Sequence, residues 1–425
     1  MSEQNDNFLL TNAKYLGDAT DVLVENGRIK TVGKKGSIQA ASNIPRVDGG
    51  GCVLLSGFID AHTHLREPGF EWKEDIASGL AAAANGGFTA VMCMGNTDPV
   101  NDNASVTRLI LDKAAKAHPA GPRLYPVGAL TIGLEGTELA PMKELADAGC
   151  VAFSNDGKPV TSTEIFRRAV EYASMWNRVV IDHCEDPFMG KGSHMNEGFT
   201  SGIIGVKGQP PVAEALHVAR DILIAEYLDL PVHLAHISCR QSVELIVWAK
   251  NKGVKVTAET CPHYLHFTDD LLMNYDSAAK VNPPLRTPED VQYLRDALAD
   301  GVFDMLVTDH APHAAHEKET PLDEAPQGII GLETALPLTY ALVHGNVITE
   351  KQLINLWSTG PARVFNLPVC AMAPGNPADF ALFDPATEWT VDETSLRTKG
   401  RNTPLWGKTV RGKVTATWVN GVKVL

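Results

Sequence analysis

Eight short apolar runs, at 52–61, 87–93, 123–129, 150–155, 178–183, 231–237, 254–260 and 304–308, punctuate the middle of this 425-residue chain. Segments of helical character lie between them, among them Asp75-Ile76-Ala77-Ser78-Gly79-Leu80-Ala81-Ala82-Ala83-Ala84 and Thr163-Glu164-Ile165-Phe166-Arg167-Arg168-Ala169-Val170. Strand and helix taken in turn eight times over about 250 residues predict a (β/α)₈ TIM barrel, an α/β fold. An open doubly wound sheet is the alternative, and it calls for a glycine-rich phosphate loop after the first strand. Here the first strand runs into Asp60-Ala61-His62-Thr63-His64 instead. The barrel is the expectation.

The two ends of the chain follow a different grammar. Val22-Leu23-Val24 and Ile29-Lys30-Thr31-Val32 flank Asn26-Gly27, and Val414–Val419 and Val422-Lys423-Val424 flank Asn420-Gly421. Asn-Gly between β-prone runs is the signal of a type I′ hairpin. The shared chemistry predicts that residues 1–51 and 367–425 together form a small β-sandwich-like domain, with the barrel occupying 52–366.

Composition excludes several functions. The chain has 37 Lys and Arg against 51 Asp and Glu, a net charge of −14, whereas binding a phosphate backbone needs a basic face; no nucleic-acid partner is expected. A run of about 18 apolar residues, the minimum for a membrane helix, is missing, and the polar start Met1-Ser2-Glu3-Gln4-Asn5-Asp6 does not read as a secretory signal. The seven cysteines, Cys52, Cys93, Cys150, Cys184, Cys239, Cys261 and Cys370, include no Cys-x-x-Cys pair. Reduced, mostly buried thiols in a cytoplasmic protein are expected. Neither a Gly-x-Ser-x-Gly elbow nor a Gly-x-x-x-x-Gly-Lys-Ser/Thr loop is present, so serine-hydrolase and nucleotide-phosphate machinery is not in view.

The chemistry collects where barrel active sites form, at the C-terminal ends of the strands. Residues i and i+2 of a strand face the same side, so His62 and His64 converge, about 6–7 Å apart. The other strand ends offer Asn96, Asp156, His183, His236, Asn282 and Asp309. Four histidines and two aspartates from five strands would face one cup, and imidazole mixed with carboxylate suits zinc, singly or as a bridged pair.

At these residues the chain resembles the cyclic amidohydrolases of the amidohydrolase superfamily, and among them the class I bacterial dihydroorotases. The resemblance rests on Asp60-Ala61-His62-Thr63-His64-Leu65-Arg66-Glu67-Pro68-Gly69, Gly95-Asn96-Thr97-Asp98-Pro99-Val100, Asn155-Asp156-Gly157, Asp182-His183-Cys184-Glu185 and His233-Leu234-Ala235-His236-Ile237-Ser238. It continues through Val281-Asn282-Pro283-Pro284-Leu285-Arg286, Thr308-Asp309-His310-Ala311-Pro312-His313 and Arg401-Asn402-Thr403-Pro404-Leu405-Trp406-Gly407-Lys408. It implies a zinc-dependent hydrolase domain with one or two ions, His62, His64 and Asp309 at the more buried ion, and His183 and His236 at a second. Asp156 is the implied bridge. The family often has Asp-Asp-Gly where this chain has Asn155-Asp156-Gly157, and strand alternation lets only one of the pair face the metals.

The resemblance further implies reversible cyclisation of N-carbamoyl-L-aspartate to L-dihydroorotate in pyrimidine (UMP) biosynthesis, with Asp309 as the catalytic acid–base. Arg66, Asn96, Asn282 and His313 are the implied substrate-binding residues, Arg66 offering a bidentate fork to a carboxylate. A homodimer and an association with aspartate transcarbamoylase are the implied partners. Two other readings stand beside it: a cyclic amidohydrolase acting on allantoin, hydantoins or dihydropyrimidines, and an inactive structural partner of aspartate transcarbamoylase. A carboxylate-reading Arg66 and Asn96 speak against the first, and the intact strand-one histidines against the second.

Other candidates are set aside. Cys184 should turn into packing, His233 should be a satisfied core histidine, His310 should point out of the cup, and His263 and His266 carry no assigned role. Asp60, in phase with His62, is expected to orient a ligand imidazole. The polar segment 311–330 is expected to be a mobile lid.

Overall fold

A computed structural model describes residues 7–425. Its centre is an eight-stranded parallel sheet in sequential order: β1 (Phe58–Thr63), β2 (Phe88–Cys93), β3 (Arg123–Ala129), β4 (Ala152–Ser154), β5 (Val179–Asp182), β6 (Val232–Leu234), β7 (Val256–Thr260) and β8 (Met305–Leu306). A helix covers the outside after each strand, at Ile76–Asn85, Ala104–Ala117, Met142–Ala148, Thr163–Ser174, Pro211–Leu228, Arg240–Asn251, Pro288–Ala299 and Ala335–His344. The helix starts carry their own signals. Asp75, Ser162 and Thr287 each accept a hydrogen bond from a first-turn amide, satisfying a donor the helix leaves open.

The barrel closes between β1 and the segment after β8. Thr63 bridges His310, and the His64 amide donates to the His310 carbonyl at 2.8 Å. The buried Asp60 carboxylate stitches the same seam, accepting from the Thr308 amide at 3.1 Å and from the Thr308 hydroxyl. Its place in the seam corrects the expectation that Asp60 orients an imidazole: of His62 it accepts only the backbone amide, at 3.3 Å. The other end of the barrel is plugged by Trp357, packed on Phe58 and Phe88.

The termini share one further sheet. Phe8–Tyr15, Asp18–Glu25, Arg28–Lys34, Arg46–Asp48 and Val53–Ser56 join Phe380–Thr390, Thr409–Val419 and Val422–Lys423. Asn26-Gly27 and Asn420-Gly421 both take positive φ (52° and 69°; 49° and 75°), as a type I′ turn requires. The two turns lie against each other, and a side chain at Gly27 would run into the Asn420 carbonyl. The sheet curls until Arg28 bridges Pro377, enclosing Phe8, Leu54, Phe380 and Trp418.

The run 52–61, expected as one strand, is two. Val53–Ser56 pairs with Phe380–Thr390 in the terminal sheet, and β1 begins only at Phe58. Gly57 makes the break possible, because a Cβ there would strike Thr89 and Asp379. Both faces of Val53–Ser56 are buried for a simple reason. Leu54 enters the terminal core while Val53 and Leu55 enter the barrel core, so the alternation that marks a half-exposed strand disappears. Among the described residues no helix is long and apolar enough to cross a membrane. All seven cysteines are free, six of them buried.

Candidate active site

The C-terminal ends of the strands and the loops that follow them enclose an open cup of about 210 Å³. His64, Asp156, His183, His236 and Asp309 line it, and His62 lies directly beneath, fully buried. One donor atom each from His62, His64 and Asp156, and again from Asp156, His183 and His236, lies within 4.8 Å of the others in its triad. Asp156 belongs to both triads. Asp309 stands beside the first, its Oδ1 3.2 Å from His64 Nε2 and 3.7 Å from His62 Nε2.

The Asp156 carboxylate is 3.2 Å from His64 Nε2, 3.2 Å from His236 Nε2 and 3.3 Å from His62 Nε2. Asn155 turns the other way. Its Oδ1 accepts from the Leu130 and Thr131 amides and its Nδ2 donates to Thr131 Oγ1, so it holds a neighbouring turn and faces no histidine.

Three of the four imidazoles are braced from behind. His62 Nδ1 bonds Glu259 Oε1 at 2.8 Å, His64 Nδ1 bonds Asn96 Oδ1 at 2.9 Å, and His183 Nε2 bonds Glu185 Oε2 at 3.0 Å. Among the described residues, His62 Nε2 and His236 Nδ1 are buried with no hydrogen-bond partner. Buried polar atoms are rarely left so. His62, fixed by the Glu259 carboxylate on Nδ1 and bare on Nε2, has the arrangement found behind metal ligands. The donor set therefore fits a divalent cation, and Asp156 is placed to serve two.

The electrostatics follow. Burial alone would lower His62, but Asp156 and Glu259 lift it well above its ordinary value. Burial would raise Asp156, yet the charge of His62 and the bonds from His183 and His236 hold it well below the usual carboxylate range. Asp309 is likewise held low against the effect of burial, by the bond from His64 and the charge of His62. Cation binding at such imidazoles releases their protons.

One wall of the cup has a different character. Arg66, half-buried at φ 62°, donates from Nε to the Pro312 carbonyl at 3.1 Å and lies 3.4 Å from His313 Nε2. It has no carboxylate partner among the described residues. His313 is buried, and burial together with the charges of Arg66 and Lys73 pulls it down to about 2, so it is neutral. Asn282 donates to Glu185 Oε2 at 2.7 Å and accepts from Gln209 at 3.3 Å. Gln327 and Gly328 complete the rim. Arg66, His236 (φ 32°) and Asp309 (φ 49°) all sit in the left-handed region, where side-chain-bearing residues are strained and functional sites concentrate.

Of the residues set aside, His233 is a satisfied core histidine between Thr257 and Glu259. His310 faces Glu74, away from the cup, and Cys184 is buried against Asp221. Sequence reasoning missed Glu259 and Glu185. A signal existed for both: Glu185 is in phase with His183, and Glu259 is the lone acid of the apolar run 254–260.

The L-hydantoinase (dihydropyrimidinase) of Arthrobacter aurescens superposes with a TM-score of 0.86 over 98% of this chain and 96% of its own, at 22% identity. A family model described as dihydro-orotase-like matches residues 51–242. The dihydroorotase of Syntrophotalea carbinolica is 46% identical over 97% of this chain and 98% of its own length, and that of Geobacter metallireducens is 46% identical over 96% and 95%. Fold and comparisons together define a cyclic amide hydrolase on the amidohydrolase TIM barrel. Within that class, the chain belongs to the dihydroorotase family.

Proposed function

We propose that this chain interconverts N-carbamoyl-L-aspartate and L-dihydroorotate, the ring-forming step of pyrimidine biosynthesis, with one or two zinc ions held by His62, His64, Asp156, His183, His236 and Asp309. The observation that carries the substrate is Arg66. A partly desolvated guanidinium with no counter-ion among the described residues, aimed into a cup, is matched by a ligand carboxylate held bidentately. Rings without a carboxylate leave it unpaired.

Zinc bound at the floor supplies Lewis acidity and a lowered pKa for water. The chain's own residues do the rest. Asp309, kept ionised by His64 and His62, accepts the proton of the attacking water and returns it to the departing ring nitrogen. Arg66, His313 and the amide of Asn96 position the carboxylate, and Asn282 meets the ring amide edge. Glu259 and Glu185 hold His62 and His183 so that their opposite nitrogens turn toward Asp156.

A homodimer and an association with aspartate transcarbamoylase complete the reading. The helix Pro211–Leu228 supports a partner surface: Val212, Leu216, Leu223 and Tyr227 form an outward apolar stripe, 42–75% exposed. Seven free thiols suit a reducing compartment such as the cytoplasm.

The test is dihydroorotate ring opening by the purified chain, followed by ultraviolet absorbance, with metal analysis and light scattering in parallel. Activity removed by a chelator and restored by zinc is the expected result. Bound zinc with hydantoin or dihydrouracil turned over in preference would overturn the substrate, and a chain without zinc or turnover would support the inactive-partner alternative.

A further inference from the structure

The loop that carries His313 and Gly328 into the cup is fastened by a segment from the far end of the chain. Asn402 is 3% exposed. Its Nδ2 donates to the Ala311 carbonyl at 2.9 Å and the Gly328 carbonyl at 3.0 Å, and its Oδ1 accepts from the His313 amide at 3.0 Å. Its own carbonyl accepts from the Ile330 amide at 3.0 Å. Both amide hydrogens and the acceptor are therefore engaged across the two stems of one loop, and the partners fix which way the carboxamide is turned. Gly400 lets the segment come this close: a Cβ there would lie 2.7 Å from Ile330 and 2.9 Å from Pro312. Asn402 does not line the cup.

We propose that Asn402 is a positioning residue for recognition of the substrate carboxylate, acting through His313 and Gly328. The inference rests on the functional reading above. The His313 ring hangs from a backbone whose amide is tied to Asn402, and Gly328 packs directly on that ring, 3.0 Å separating its would-be Cβ from His313 Cδ2. Asp309 leaves the barrel before this clasp and is placed by the Asp60–Thr308 seam instead. Loss of the clasp should loosen the carboxylate wall and leave the proton-transferring floor in register.

The experiment is steady-state kinetics on dihydroorotate for the wild type, Asn402→Ala and Asn402→Asp, with zinc content and melting temperature recorded for each. Asn402→Asp is nearly isosteric and keeps the acceptor for His313, but it sets an oxygen against the Ala311 and Gly328 carbonyls, so it decides the matter if the alanine variant does not fold. Both variants should raise KM roughly 10- to 100-fold, the effect of weakening a hydrogen bond to a charged ligand group. Their kcat should stay within about threefold and zinc should remain bound, the pattern of lost uniform binding. Arg401→Ala, at an exposed residue paired with Glu393, should change neither constant. An active wild type with unshifted KM in the variants overturns the inference alone, as does a parallel fall of kcat and zinc content. A wild type that does not turn over dihydroorotate overturns the functional reading and this inference with it.

Discussion

The floor and the wall of the cup are built by different rules. The floor consists of imidazoles and carboxylates at, or within three residues of, the ends of barrel strands, and its histidines are braced by Glu259, Glu185 and Asn96. The wall hangs on loops. Arg66 and Gly328 have positive φ, His313 is held by its backbone, and long-range bonds from Asn402 and Lys318 keep the loop in place. The floor inherits its accuracy from the register of parallel strands, the wall from clasps between distant segments. Damage to the floor should strike turnover or metal retention, and damage to the wall should strike affinity.

The largest effect belongs to the floor. Asp309→Asn removes the proton acceptor while keeping the shape, and kcat should fall roughly 10²- to 10⁴-fold with KM within a few-fold of wild type. A variant that keeps most of its rate would remove Asp309 from proton transfer and break the comparison at its strongest point. Arg66→Lys is the matching test of the wall. Lysine keeps the charge but loses the planar fork, so KM should rise by about two orders of magnitude with kcat little changed. A kcat collapse instead would mean that Arg66 takes part in the chemistry.

Glu259→Gln sharpens the same line from behind the floor. Glu259 bonds His62 Nδ1 and His233 Nε2 and accepts from the His236 amide at 3.3 Å, so one carboxylate sets two imidazole tautomers and a strand end. Removing a carboxylate behind a metal-binding histidine typically lowers metal affinity or activity about 10- to 100-fold. Competition against a chelator should show that loss of zinc affinity; a change confined to KM would erase the distinction between floor and wall.

What was legible in the sequence divides in the same way. The barrel followed from eight alternations, and the convergence of His62, His64, Asp156, His183, His236 and Asp309 followed from strand-end positions, because a parallel barrel delivers such residues to one mouth. Alternation required that only one of Asn155 and Asp156 face the cup, and the resemblance, not the alternation, pointed to Asp156. Alternation could not name partners: Asp60 lies on the expected side of its strand but meets Thr308 across the seam, while the imidazole it was expected to orient is held by Glu259. The division of 52–61 escaped because a run buried on both faces looks the same whether it serves one sheet or two. Asn402 escaped because a clasp between the C-terminal segment and a loop leaves no periodic trace.

The smallest effect concerns how the wall is tied down. The Lys318 ammonium, 7% exposed, donates to the carbonyls of Ser277 at 2.9 Å, Lys280 at 3.2 Å and Pro326 at 2.7 Å, anchoring the segment expected as a lid. Burial and the nearby charge of Lys280 bring it down to about 7 from an ordinary value of 10.5. Between those two pH values the unfolded chain holds a proton that the folded chain has released, so stability must rise with pH across that window and is lost as pH falls through about 7. Urea unfolding of wild type and Lys318→Met at pH 7 and again near pH 9.5 isolates the contribution. The wild type should gain on the variant by on the order of 1–3 kcal/mol between the two. If the difference between the two proteins does not move with pH, Lys318 does not titrate in the folded wall. Any opening of the segment would then begin from a permanently charged anchor.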